Sequence, residues 1–265
     1  MEEIVKLSGV KLIYHSKNGE NMAIRDLNLS VYKGEFLALV GPSGSGKTTI
    51  LSLLAGILKP SEGEIQTSFD LKNKVGYMLQ KDQLFNWRTI YKNILLGLEI
   101  KGKITKEDKE YAKYLLQKYG LGDVMHKYPP ELSGGMKQRG ALIRTLVLRP
   151  EIVLLDEPFS ALDFQTRLSV GEDVRSIIKS EGLTAILVTH DISEAISICD
   201  RVAVLSRKPA TIKNIYDTRL NEGTILEKRE AQGFSELFTK IWKELDIHEE
   251  ENMFKGTSEI PTDTT

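Results

Sequence analysis

The chain has 265 residues, 41% hydrophobic and 28% charged, proportions that fit a globular core and exclude a disordered, collagen-like or membrane-spanning chain. Lys and Arg number 36 against 37 Asp and Glu, a formal net charge of -1, so there is no electrostatic case for wrapping nucleic acid or lying on anionic lipid. The single cysteine, Cys199, can form neither an internal disulfide nor a cysteine-rich zinc site and favours a reducing compartment.

The opening MEEIVKLSGV is acidic and mixed, so no secretory signal is expected. No apolar run approaches the roughly 18 residues of a membrane helix; a soluble protein is expected, with any membrane role coming through a partner. FLALV at 36–40 reads as a buried strand and leads into GPSGSGKT at 41–48, followed by a helix with Ile50, Leu51, Leu54, Ile57 and Leu58 on one face. The segment fits the pattern of a glycine, four residues, then glycine, lysine and Ser or Thr. Gly41, Gly44 and Gly46 allow a tight turn whose amides point at phosphate oxygens, and the helix start adds partial positive charge. Gly41, Pro42, Ser43, Gly44, Ser45, Gly46, Lys47, Thr48 and Thr49 form the expected cradle, with Lys47 reaching the β and γ phosphates and the Thr48 hydroxyl ligating Mg²⁺. The bland alternative is a glycine-rich turn with an exposed lysine.

Residues 88–149 read as mainly helical. Thr105 and Asp108 make an N-cap pair, Tyr111, Tyr114, Leu115 and Lys118 follow until Gly120, and Pro129 and Pro130 break the chain before a helix resumes from SGGMKQR. This predicts a helical subdomain inserted into an α/β core at 1–87 and 150–225. IVLLDEP at 152–158 reads as a buried strand delivering Asp156 to a Mg²⁺ shell and Glu157 to a water facing the γ phosphate; the alternative is two acids capping a strand. A stripe of Val170, Val174, Ile177 and Ile178 follows. TAILVTH at 184–190 reads as another strand, followed by a stripe of Ile192, Ala195, Ile196 and Cys199. Strand-to-helix alternation predicts a parallel sheet. A helical segment is expected at 226–247, and a frayed tail at 248–265.

With LSGGMKQR at 132–139 the chain resembles the nucleotide-binding subunit of ATP-binding cassette (ABC) transporters, whose LSGGQ signature here carries Met136 in place of the glutamine. Ser133, Gly134 and Gly135 open a helix and form a second anion-binding start. The resemblance implies a P-loop NTPase (RecA-like) α/β core with an N-terminal antiparallel β portion. It also implies a head-to-tail dimer in which this second cradle closes over ATP held by the opposite subunit. On the same resemblance Tyr14 stacks on adenine, though a half-buried strand tyrosine is the alternative. Gln80 senses Mg²⁺ and the attacking water, Asp163 ends the SALD loop that touches the partner's phosphates, and His190 contacts the γ phosphate. Alone, His190 would read as a strand-end histidine. The resemblance runs from about residue 4 to 216; His15, His126, His248 and Cys199 match nothing in it and read as structural or exposed.

DQLFNWRTIYKNILLGLE at 82–99 and LSRKPATIKNIYD at 205–217 are similar to importer ATPases of the nitrate, sulfonate and taurine group. The resemblance implies ATP and Mg²⁺ as cofactors, a transmembrane permease docking near Trp87 and Arg88, an extracytoplasmic binding protein in the same system, and a place on the cytoplasmic face of the membrane. A Trp87 buried in the helical part is the alternative to docking. The residues after Asp200 are too few for the barrel-like regulatory domain of sugar importers. A soluble mechanical or nucleic-acid ATPase of the same class, or a nucleotide-binding regulator without turnover, are the competing readings; the first usually carries two cassettes, coiled coils or zinc cysteines, and Glu157 with His190 speaks against the second.

Overall fold

A computed structural model of the chain describes residues 2–16, 19–80, 83–102, 104–221 and 223–255. β1 (Glu3–Ser16) pairs antiparallel with β2 (Gly19–Tyr32) and, on its other edge, with the later β4, forming a three-stranded sheet. β3 (Phe36–Val40) follows and the chain turns into α1 (Lys47–Leu54). After β4 (Glu62–Thr67) and the single turn α2 (Leu71–Lys74), β5 (Val75–Met78) enters the second sheet. Then come α3 (Ile90–Ile100), α4 (Lys106–Lys118) and α5 (Gly134–Leu146). The core resumes with β6 (Ile152–Asp156), α6 (Phe164–Ser180), β7 (Thr184–Thr189), α7 (Ile192–Ile198), β8 (Arg201–Leu205) and β9 (Ile212–Asp217). α8 (Ile225–Glu230) and α9 (Phe234–Lys255) close the described chain.

The second sheet has the order β5-β6-β7-β3-β8-β9, parallel except for β9. β3 is buried at every residue because both faces are covered: Phe36, Ala38 and Val40 enter one core, Leu37 and Leu39 the other. This is the period-2 signature of a doubly covered parallel strand. The second core joins this sheet to α1 and the antiparallel sheet. The first is continuous from the β-strands into the helices of 90–146, through Ile94, Leu115, Leu142 and Val153. The helical part is thus welded to the sheet through α5.

Local signals explain the helix ends. Thr105 and Asp108 form a full capping box, and Gly120, at φ 72, follows the last turn of α4. α1 is shorter than its apolar pattern predicts: it stops at Leu54, Gly56 turns left-handed at φ 68, and Ile57 is exposed. The stretch expected to fray from 248 is helical through Lys255; residues 256–265 and the side chain of His248 lie outside the described residues. His15 faces Glu20 at the surface, His126 is exposed, and Cys199 is buried, where loss of hydration pushes its thiol up.

Trp87 is 74% exposed and stacks on Phe85 with ring centroids 4.7 Å apart, so it is not buried among the helices. Arg88 turns away to Glu99, at 2.7 Å to each carboxylate oxygen. Asn93, fully buried on α3, fixes this loop: its Oδ1 accepts from the Phe85 amide at 2.7 Å, and its Nδ2 donates to the carbonyls of Phe85, Arg88 and Thr89 at 3.0–3.1 Å. Asn93→Ala strands several buried backbone groups and is expected to cost about 2–3 kcal/mol in chemical unfolding. A loss below about 0.5 kcal/mol, typical of a surface change, would contradict that role.

Candidate active site

The site begins where β3 leaves the sheet. A Cβ on Gly41 would stand 2.8 Å from Ser45 Oγ and 3.0 Å from Leu205 Cβ, so only glycine lets the chain turn this close to β8. Gly46, at φ 100, is the N-cap of α1, and no side chain caps that helix. The first amides of α1 are therefore left for an anion. Lys47 is 7% exposed and donates to the carbonyls of Gly41 at 2.8 Å and Pro42 at 2.9 Å. Burial lowers its pKa, opposed by the charges of Glu157 and Asp156. A cleft of about 530 Å³ is lined by Ser43 through Thr49 together with Glu157 and His190. Ser45 Oγ is buried without a partner, an unmet polar group that a phosphate-bearing ligand would satisfy.

β6 carries the acids to this cleft. The Thr48 hydroxyl donates to Asp156 Oδ1 at 3.3 Å, and Tyr77 on β5 donates to Oδ2 at 3.4 Å. Burial raises the Asp156 pKa, with the Thr48 hydrogen bond opposing. Tyr77 is pushed up to about 12 by burial first and by Asp156 second, so its hydroxyl stays a donor. Glu157 has a left-handed backbone, φ 44, unusual for a side-chain-bearing residue; such geometry is stored at functional sites at a cost of about 1–3 kcal/mol. Its amide donates to Val188 and its carbonyl accepts from Ser160, which holds the turn and sets the carboxylate at the cleft. Gln80 Nε2 lies 3.3 Å and His190 Nδ1 3.4 Å from the same Glu157 Oε2.

All three expected catalytic groups, Gln80, Glu157 and His190, thus converge on one carboxylate oxygen. Thr48 and Asp156 meet as expected. Among the described residues no group of three or more His, Cys, Asp or Glu could hold a metal by itself. A hydroxyl and a carboxylate at bonding distance suit instead a hard cation that takes its other ligands from phosphate and water. Tyr14 does not line the cleft; it stands on β1, paired with Asn21 of β2, 41% exposed.

The second cradle is built but lies elsewhere. Ser133 caps α5 by accepting from the Met136 amide at 3.4 Å. A Cβ on Gly134 would meet Leu162 at 3.0 Å and one on Gly135 would meet Val170 at 2.9 Å, so the two glycines admit a close approach to the loop before α6 and to α6 itself. These residues share a cleft of about 560 Å³ with Asp163 that includes none of the groups lining the first. Asp163 caps α6, and the Thr166 hydroxyl and amide hold its carboxyl below the usual range.

Two features escaped the sequence. Tyr77 braces Asp156, and nothing near it in sequence marks that contact. Arg167 joins the 160–163 loop to the His190 strand end: it donates to the Leu162 carbonyl at 3.1 Å and lies 3.5 Å from Asp191 and from Glu194. Glu194 is 5% exposed and accepts from the Thr189 hydroxyl at 2.7 Å, beside His190. Glu194 stands in the first turn of α7, off the apolar stripe, so no sequence pattern marks it.

The family profile described as ABC transporter matches residues 24–160. The uncharacterized ABC transporter ATP-binding protein YtlC of Bacillus subtilis is 46% identical over 90% of this chain and 94% of its own length. The nitrate import ATP-binding protein NrtD of Synechocystis is 37% identical over 79% of this chain and 80% of its own. The aliphatic sulfonates import ATP-binding protein SsuB of Bacillus thuringiensis is 34% identical over 91% and 96%. Among solved structures, the ATP-binding cassette MJ0796, a dimer bound to ADP and Pi, superposes with a TM-score of 0.68 at 30% identity, covering 82% of this chain and 99% of that one. The matched span runs from β2 through the cradle, the signature helix and the Glu157 loop, and the chain belongs to the ABC transporter family, as one of its ATP-hydrolysing nucleotide-binding subunits.

Proposed function

We propose that the chain powers a solute importer, with two copies closing head to tail over two ATP molecules and pulling on a membrane permease at the cytoplasmic face. The convergence of Gln80 and His190 on Glu157 Oε2 at the mouth of the phosphate cradle carries this reading. Glu157 takes the proton from a water attacking the γ phosphorus, while the bond from that phosphorus to the β–γ bridging oxygen breaks; ADP and phosphate leave. Lys47 and the α1 amides stabilise the charge that gathers on the phosphate oxygens. Thr48 and Asp156, with Gln80 nearby, would hold Mg²⁺, which supplies charge neutralisation across the phosphates when bound. Separation of the two cradles into different clefts supports assembly of each full site from two chains. Tyr14, exposed on β1, is free to stack on adenine.

Likeness to relatives named for nitrate and sulfonate import supports nitrate, a sulfonate, taurine or a related small solute as the cargo, delivered by an extracytoplasmic binding protein. The exposed Phe85 and Trp87 stack supports permease docking there, since aromatic anchors dominate interface energetics. Affinity purification of the chain from its own cells is expected to bring down a polytopic membrane protein. Nucleic acid, or a soluble partner alone, would overturn the reading. Trp87→Ser is expected to weaken that association by about tenfold or more, while ATPase activity of the isolated chain stays at the parent level. Equal recovery of the membrane protein would move the docking surface elsewhere.

A further inference from the structure

Arg167 stands in the first turn of α6 and lines neither nucleotide cleft. Its guanidinium nevertheless touches the surroundings of both. On one side Nη2 donates to the Leu162 carbonyl at 3.1 Å, and Leu162 lines the second cleft together with Ala161 and Asp163. On the other side Nη1 lies 3.5 Å from Asp191 Oδ2, and Nε lies 3.5 Å from Glu194 Oε1. Asp191 caps α7 and Glu194 is in its first turn, directly after His190. A planar fork can hold one carbonyl and two carboxylates at once, which a point charge such as an ammonium cannot.

The same two acids fix the backbone around His190. The Thr189 hydroxyl donates to Glu194 Oε2 at 2.7 Å and accepts from the Asp191 amide at 3.0 Å. Asp191 Oδ1 in turn accepts from the Glu194 amide at 3.1 Å. These bonds flank His190 on both sides in the chain and leave its ring to reach Glu157 Oε2 at 3.4 Å. Burial, with the Asp191 charge, raises the Glu194 pKa, while the Thr189 hydrogen bond and the charges of Arg167 and His190 oppose it, so both cations face one acid. Arg167 Nε is buried without a hydrogen bond. At 3.5 Å it stands about 0.5 Å beyond an ordinary N–H···O bond, and a small shift of the 160–163 loop would draw the fork onto Glu194 or off it.

We infer, resting on the role given to His190 and Glu157 in the reaction proposed above, that Arg167 is a positioning residue for ATP hydrolysis, holding His190 in register with the 160–163 loop. It touches no reacting atom and acts only through Asp191 and Glu194.

Phosphate release by the full-length chain across an ATP titration tests this. Arg167→Met is expected to lower kcat about tenfold with KM for ATP within about twofold of the parent, because the Lys47 cradle is untouched. On the residual turnover of His190→Ala the same substitution is expected to change kcat by less than about twofold, since no imidazole is left to misplace. Asp191→Asn keeps the cap of α7 and drops the ion pair; it is expected to act in the same direction and decides the matter should Arg167→Met fail to fold. Arg167→Lys keeps the charge without the fork and is expected to recover only part of kcat, whereas full recovery would reduce the link to charge alone and overturn the part given to the loop. The chain has four histidines, so the His190 ring signals can be assigned by NMR from their loss in His190→Ala, and they are expected to move in Arg167→Met. Parent kcat in Arg167→Met, unmoved His190 signals, or an equal loss on top of His190→Ala would overturn the role of Arg167 and leave the proposed reaction standing. Parent turnover in His190→Ala alone would instead remove His190 from that reaction, and the role of Arg167 with it.

Discussion

Glu157→Gln is expected to keep ATP binding and to lower phosphate release by about 10²- to 10⁴-fold, the usual worth of general-base help. Glutamine preserves length and the contacts to Gln80 and His190, 3.3 and 3.4 Å from the present carboxylate oxygen; what it loses is the capacity to take a proton. The substitution also removes a charge that raises the Lys47 and Asp156 pKa values, so both move down, which favours the ionised Asp156 and loosens the hold of Lys47 on its proton. With binding intact and hydrolysis blocked, ATP-dependent dimers should accumulate and be visible by light scattering. Parent-level phosphate release would remove Glu157 from the mechanism, and a variant that fails to bind ATP would show that its role is structural.

Lys47→Ala is expected to weaken ATP binding by about 10- to 100-fold, as loss of a charge-assisted contact to phosphate implies. Two effects combine. The ammonium that would meet the phosphates disappears, and the carbonyls of Gly41 and Pro42 lose the donor that now folds the loop onto it. Calorimetry with ATP measures the first. Thermal melting separates the second, because a collapsed loop lowers the melting temperature without nucleotide, whereas loss of a ligand contact does not. Unchanged ATP affinity would refute the cradle.

Much of the site could be read from the chain because its parts are local. The glycines, Lys47 and Thr48 sit within one strand-turn-helix, and Asp156 and Glu157 end one apolar run, so spacing alone places them at one cleft. Capping at Thr105 and the break at Pro129 are equally local. What escaped depends on distant segments meeting. Tyr77 reaches Asp156 across neighbouring strands, Arg167 reaches from α6 to α7, and the order placing β3 between β7 and β8 follows from crossovers that periodicity does not encode. Ile57 shows the opposite error: the apolar rhythm continued after the left-handed glycine had already ended the helix. Asn93 was detectable in principle, as a polar residue on the apolar side of α3.

Because Lys47 and Gly135 occupy different clefts of one chain, a lesion in either one damages a different half of the pair. In the head-to-tail pair proposed above, one chain broken at Lys47 and one broken at Gly135 would place both faults on the same composite centre and leave the other whole. Two individually dead proteins can therefore complement each other, whereas two copies of either single defect cannot.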